Sequence, residues 1–329
     1  MAGERSGQDA PEGLRIATYN AMLLSNAMCM AEMIKGVGPF HDEERASEMV
    51  GVLAATGADV IVLQELFGQD ASASLMAGLY QEGYLYQTHV LGAGYWVKNA
   101  ALWDVEGRSH TWVENGGVAI ASAHPLARRE ARFFTEESSC GYDAYAAKGF
   151  VYVEIDVWGR RVHLVGTHPQ STDPGCISGS RPADTAARCR ARQFTEIDTF
   201  LTALETEPSR IGPDEHVFIV GDLNVDRFNS REYPAMLAAL RAWDADRHMG
   251  GEFSLDTYTN DIAKARYAGL LPEDLDYVLQ RVRGGRARMS DWQVRLERPL
   301  TGLGMHYKDL SDHYLLIADG RFPHRPRAT

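Results

Sequence analysis

The segment FIVGDLNVD, residues 218–226, runs from an apolar stretch into Asp222, Asn224 and Asp226. Two carboxylates and an amide at the end of a buried strand make either a polar turn or an active site. The same design recurs along the chain. IATYN ends in Asn20, VIVLQE in Glu65 and HLVGTH in His168, while LDYVL opens with Asp276 and SDHYLL with Asp312 and His313. Taken singly, each has a bland explanation as a turn residue, a solvated helix start or a surface histidine. Together, acids, amides and histidines that each abut an apolar strand match what metal-assisted phosphate hydrolysis requires. Magnesium takes oxygen ligands, keeps several waters and needs only one or two carboxylates beside the substrate phosphate. A water must then lose its proton to a base whose orientation a carboxylate holds. Charge on the phosphoryl oxygens must be met by metal and donors. Asp222 and Asn224 share a strand face by the period of two; Asp226 has the same parity but lies past the strand end and reads as a turn residue.

Rigid elements must carry these groups. Apolar or alternating runs predict strands over residues 14–20, 59–65, 117–122, 149–157, 161–168, 216–224, 275–280, 292–297 and 313–319. Helical periodicity appears over residues 42–56, which open with acidic side chains, and over 186–204 and 231–242. No repeat and no clean linker divides the chain, so layers of helix over β-sheet in a single domain are expected.

The chain has 329 residues, 45% hydrophobic and 24% charged, which is globular composition long enough for a sizeable core. Its net charge of −12 argues against tight binding to a nucleic-acid backbone. No apolar run approaches the length of a membrane span. The first residues, MAGERSGQDAPEG, lack a signal-peptide pattern, which leaves a cytoplasmic protein or one whose signal is missing from this sequence. Cys29, Cys140, Cys176 and Cys189 show no zinc-type spacing; by count alone they are free thiols or form one or two bridges.

The ordered set N…QE…GTH…GDLN…LDY…SDH resembles the endonuclease/exonuclease/phosphatase superfamily. Within it the chain is most similar to bacterial neutral sphingomyelinases, through TYNAMLLS (18–25), VIVLQELF (60–67), NGGVAIASAHPL (115–126), CGYDAYAAKGFVYV (140–153), GTHPQSTDPGC (166–176), VGDLNVD (220–226), EDLDYVL (273–279) and LSDHYLL (310–316). The resemblance implies an α/β, four-layer αββα sandwich: two mixed β-sheets packed face to face with helices outside. A single catalytic domain would cover residues 14–320, between a flexible N-terminal segment, 1–13, and a C-terminal tail, 321–329.

The resemblance also implies roles. Glu65 would be the main carboxylate ligand of Mg2+, or of Mn2+ or Co2+ in its place, with Asn20 beside it. His313 would be the general base, with Asp276 fixing its tautomer; Asp312, by strand alternation, would face the metal side. Asp222 and Asn224 would orient water and grip a phosphoryl oxygen, and His168 would donate to the phosphate or leaving oxygen. Lys148 and Asn115 would contact substrate, although a snorkelling lysine is an equal reading of Lys148. Cys140 and Cys176 sit where secreted sphingomyelinases carry a disulfide, which favours secretion over the cytoplasm; Cys29 and Cys189 have no such counterpart. The implied reaction is phospholipase C cleavage, of sphingomyelin to ceramide and phosphocholine or of a related choline or ethanolamine phospholipid. A soluble phosphodiester substrate and a nuclease of the same superfamily are the alternatives. The expected partner is a phospholipid, without nucleic acid, for a monomeric protein.

The pattern departs from the family in one place. Membrane-acting relatives carry a hairpin with aromatic tips before the last SDH; here ERPLTGLGMHYKDLSDH (297–313) is short and offers Leu300, Leu303 and Met305. It reads as a simple loop or as a reduced apolar membrane contact. Trp96, Trp103 and Trp112 form a second lipid-facing candidate, although packing beneath a loop is the commoner fate of such residues.

Overall fold

The computed structural model describes residues 13–93, 104–106, 113–172, 174–176, 182–207, 210–245, 253–302, 304 and 306–323. Among them the strands are β1 (Gly13–Leu23), β2 (Val60–Leu66), β3 (Tyr86–Gln87), β4 (Asp104–Glu106), β5 (Ala119–Ser122), β6 (Leu126–Phe133), β7 (Gly149–Val157), β8 (Arg160–Thr167), β9 (His216–Asp222), β10 (Ala242–Trp243), β11 (Asp276–Arg281), β12 (Ser290–Glu297) and β13 (Leu315–Arg321). The α-helices are α1 (Asn26–Ile34), α2 (Asp42–Ala55), α3 (Gln69–Gln81), α4 (Pro182–Thr206), α5 (Glu232–Leu240) and α6 (Asp261–Arg266).

The strands form two mixed sheets. One runs β12-β13-β1-β2-β5-β3 and the other β10-β11-β9-β8-β7-β6-β4. In each, one central pair is parallel, β1 with β2 and β8 with β9, and its outer neighbours β13 and β11 run antiparallel to it. Alternation along each strand sends one set of side chains between the sheets and the other toward helices. Ile16, Val62, Ile120, Leu164, Phe218, Val278 and Leu316 fill the space between the sheets. Ala17, Leu63 and Ile317 turn outward to meet Met49 and Leu53 of α2 and Leu75 of α3. On the far side Val165, Ile219 and Leu279 pack on Phe194, Ile197 and Leu201 of α4. The four-layer sandwich follows from these three apolar interfaces. No helix among the described residues is long and apolar enough to cross a membrane.

Several boundaries differ from the sequence reading. The strand expected over residues 216–224 ends at Asp222, and the one expected from residue 313 starts at Leu315. Asn224 and the Asp312–His313 pair therefore stand on turns, and the period of two does not set their directions. Strand β6 escaped notice because Arg128, Arg129, Glu130 and Arg132 break the apolar alternation; the buried Glu130 is ion-paired with Arg128, Arg132 and Arg210. At the ends, Gly13 pairs with Arg321, and Phe322 is buried in the core between the sheets. Ordered structure thus includes Gly13 and reaches into the proposed tail; residues 1–12 and 324–329 lie outside the described residues.

Candidate active site

The chemistry-bearing groups converge at one end of the two sheets. Antiparallel pairing of β9 with β11 sets Asp222 opposite Asp276 in register. His313 lies just ahead of β13, in a turn that two serines pin. Ser311 Oγ donates to the Asn20 carbonyl at 2.6 Å and accepts from the His313 N–H at 3.2 Å. Ser254 Oγ accepts the N–H groups of Leu275 and Asp276, at 2.9 and 3.1 Å, and the Ser254 carbonyl accepts the Tyr314 N–H at 2.7 Å. The backbones of Asp276 and of Tyr314, the residue after His313, are thereby tied through one buried serine.

His313 Nδ1 is 2.7 Å from Asp276 Oδ2. The carboxylate accepts from Nδ1–H, which leaves Nε2 facing Asp222 Oδ2 at 3.7 Å. Burial pulls the imidazole pKa down, but Asp276 and Asp222 outweigh it and carry the value up to about 10. Asp222 is itself pushed up, by burial first and by Asp276 next, with His313 and hydrogen bonds from Asn224 and Asn20 opposing.

His168 follows β8 and closes the opposite wall. Its Nδ1 accepts from Lys148 Nζ at 3.2 Å, which places the ring proton on Nε2, 3.5 Å from Asp222 Oδ2. Burial, Lys148 and His313 together hold His168 well below the usual histidine pKa, so the ring is neutral. Lys148 is buried and does not snorkel; its Nζ is also 3.5 Å from Asp143 Oδ1. A disulfide between Cys140 and Cys176 fastens this wall, and Gln170 braces it by accepting the Cys140 N–H and donating to Asp143. Cys29 and Cys189 are free thiols.

Glu65 and Asn20 come from the parallel pair β2 and β1. Asn20 Nδ2 donates to Glu65 Oε1 at 3.2 Å and to Asp222 Oδ2 at 3.1 Å, while Oδ1 accepts the Met22 N–H at 3.2 Å. The amide nitrogen thus faces the carboxylates, and Asn20 is a strut between Glu65 and Asp222. Glu65 adopts a left-handed φ of 55°, a conformation unfavourable for a non-glycine residue. Burial and the nearby Asp312 raise its pKa, with Arg266, His313 and Asn20 opposing. Among the described residues no group of three or more His, Cys, Asp or Glu side chains is arranged to chelate a metal. The single half-buried carboxylate of Glu65 nevertheless fits Mg2+, which takes few protein ligands and keeps its waters.

The remaining candidates are more peripheral. Asn224, at φ 54°, donates from its backbone to Asp222 Oδ1 at 2.9 Å and from Nδ2 to the Pro169 carbonyl at 3.1 Å. Asn115 is engaged by backbone, donating to the Phe67 carbonyl just after β2 and accepting the Gly117 N–H of its own loop. Asp312 turns away from His313 and meets Arg266, with Tyr267 Oη donating to its Oδ2 at 3.3 Å. Sequence reasoning missed Arg266, Tyr267, Asp143, Ser254 and Ser311. Ser311 sits inside the LSDHYLL motif and Asp143 inside CGYDAYAAKGFVYV, and both could have been found there; the others carry no local signal. Leu300 is exposed, whereas Leu303, Met305, Trp96, Trp103 and Trp112 lie outside the described residues.

Two facing mixed sheets between helical layers, with this cleft at one end, define an αββα sandwich of the deoxyribonuclease-like kind. The chain belongs to the Endonuclease/Exonuclease/phosphatase family, which it matches over residues 26–313. It is similar to Sphingomyelinase C from Leptospira interrogans, with 34% identity over 322 residues, 94% of this chain and 53% of that protein. The chain thus spans about half the length of that relative. Among solved structures it is similar to sphingomyelinase C from Streptomyces griseocarneus, with 38% identity, a TM-score of 0.80 and coverage of 94% of this chain and 99% of that one. A mutant of the beta toxin from Staphylococcus aureus with bound magnesium ions is similar at 29% identity and a TM-score of 0.78, covering 94% of this chain and 99% of that one.

Proposed function

We propose that this chain is a Mg2+-dependent phosphodiester hydrolase of the phospholipase C type, cleaving sphingomyelin to ceramide and phosphocholine. The observation that carries the reading is the His313–Asp276 pair, 2.7 Å apart, whose free Nε2 faces the cluster of Asp222, Asn20 and Glu65. Similarity to sphingomyelinases C over nearly the whole chain supports the substrate class.

His313 Nε2 takes the proton of a water in the cleft, and Asp276 stabilises the resulting imidazolium. Asp222, whose carboxylate the Asn224 N–H holds, orients that water against the phosphorus. His168, neutral with its proton on Nε2, donates to a phosphoryl oxygen or to the departing ceramide alkoxide. Lys148 holds that tautomer. Glu65, which Asn20 steadies, would hold a divalent ion, which when bound would supply Lewis-acid polarisation of the phosphate and whose charge would favour the neutral form of His313. Asn115 fixes the loop beside Phe67 and thereby shapes the cleft wall.

The partner is a phospholipid surface. Beside the exposed Leu300, the loops near Asp276 expose Phe228, Tyr258, Leu270 and Leu271. These loops are knitted together, with the Asp274 N–H donating to Asp226 and Thr257 Oγ1 to the Leu270 carbonyl. Leucine and aromatic tips of this kind suit a lipid interface. The disulfide favours an oxidising, extracellular setting. Residues 14–320 act as one catalytic domain in a monomer.

The reading is tested by assaying one preparation, with and without Mg2+, on sphingomyelin, phosphatidylcholine, phosphatidylethanolamine, an aryl phosphodiester and plasmid DNA. Phosphocholine release from sphingomyelin only with Mg2+ is expected. Cleavage of DNA or of the aryl ester with no lipid hydrolysed would overturn it.

A further inference from the structure

Arg266 is the last residue of α6, and its guanidinium Nη1 lies on Asp312 Oδ2. The pair is secluded, with side-chain exposures of 12% for Arg266 and 1% for Asp312. Asp312 does not lack a neutral donor. Tyr267 Oη donates to its Oδ2 at 3.3 Å. What the guanidinium adds is charge. The pair lies at the Glu65 end of the cleft: Ser311, next to Asp312 in the chain, donates to the Asn20 carbonyl at 2.6 Å, and Asn20 Nδ2 donates to Glu65 Oε1 at 3.2 Å. Two carboxylates in a secluded cleft with no cation would repel strongly, because the low local dielectric magnifies like-charge interactions.

We propose that Arg266 is the fixed counter-cation of the cleft: it neutralises Asp312, leaves Glu65 as the carboxylate open to a divalent ion, and so sets how tightly that ion is held. Arg266 is a positioning residue, acting through Asp312 and through its field at Glu65. The inference rests on the reading of Glu65 as the metal ligand. It gives substitution of Arg266 an unusual sign. If the side chain only packed the cleft, removing it would loosen the site and weaken metal binding. As a counter-cation, its removal concentrates negative charge and strengthens metal binding.

The test is calorimetric titration of the EDTA-stripped full chain with Mg2+, comparing wild type, Arg266→Gln, Arg266→Lys and the double variant Arg266→Gln/Asp312→Asn. Arg266→Gln should bind Mg2+ about tenfold more tightly. Arg266→Lys and the charge-balanced double variant should stay within about threefold of wild type. If Arg266→Gln does not fold without the ion, the double variant must fold and bind as wild type does. A double variant that fails to fold, or an Arg266→Gln protein whose affinity is unchanged or weaker, overturns the assignment of Arg266 alone. Wild type with no measurable Mg2+ binding overturns instead the reading of Glu65 on which it rests.

Discussion

Asp276 and Asp222 are register partners on antiparallel strands, and the imidazole of His313 bridges them, with Nδ1 at 2.7 Å from one and Nε2 at 3.7 Å from the other. The two acids have different surroundings and hence different tasks. Asp276 is the direct partner of the ring. Asp222 Oδ2 is a meeting point, with Asn20 Nδ2 at 3.1 Å, His168 Nε2 at 3.5 Å and His313 Nε2 at 3.7 Å.

Asp276→Asn keeps the shape of the pair and removes the charge that fixes the His313 tautomer. Turnover should fall by about 10²- to 10⁴-fold with KM little changed, the range seen when a triad carboxylate becomes an amide. Steady-state kinetics on sphingomyelin micelles checks this, together with a circular dichroism spectrum matching wild type. A loss below about tenfold would remove Asp276 from the account.

The sandwich was legible in the chain because both faces of its central strands are apolar, so runs such as VIVLQE and HVFIVGD stand out. The site residues were legible because each abuts such a run. Directions were not. Asn224 and the Asp312–His313 pair lie beyond strand ends, where turn geometry rather than alternation aims a side chain. Arg266 reads as an ordinary basic residue near the end of a short helix, and only the tertiary fold brings it to Asp312, 46 positions away. Helix α1 buries no residue fully and packs on the core only through the half-buried Met28 and Cys29, too little for a periodic stripe.

The raised pKa of His313 has a consequence for metal-free stability. The folded state binds this proton more tightly than the unfolded chain, whose histidines titrate near 6.5. The stabilisation is therefore complete below about 6.5 and is lost as pH rises through about 10. In EDTA, wild type should lose more melting temperature over that window than His313→Gln. Equal slopes for the two proteins would contradict the charge assignment.

The Cys140–Cys176 bridge closes a loop with a sequence separation of 36. By loop-closure entropy, its removal costs about 3–4 kcal/mol. Urea unfolding of Cys140→Ser/Cys176→Ser against wild type measures this. Since Gln170 and Asp143 link the bridge to Lys148, the variant should also show a weakened grip on substrate, seen as a raised KM.

Gly221 sits where β9 presses on β8. Its φ is +143°, and an added Cβ would lie 2.0 Å from the Thr167 carbonyl oxygen. Gly221→Ala must push the two strands apart beside both Asp222 and His168. It should destabilise the fold by more than about 3 kcal/mol. A thermal unfolding curve within a few degrees of wild type would show that this contact yields easily.

The central claim, that hydrolysis runs through a divalent ion at Glu65 beside the His313 base, is tested most directly by phosphocholine release from sphingomyelin micelles. Wild type and Glu65→Gln are each measured after EDTA treatment and again after Mg2+ is restored. Wild type should be silent in EDTA and fully active with Mg2+, while Glu65→Gln stays at least about 10²-fold lower throughout. Turnover that survives EDTA, or a Glu65→Gln enzyme that Mg2+ restores to wild-type rate, would contradict it.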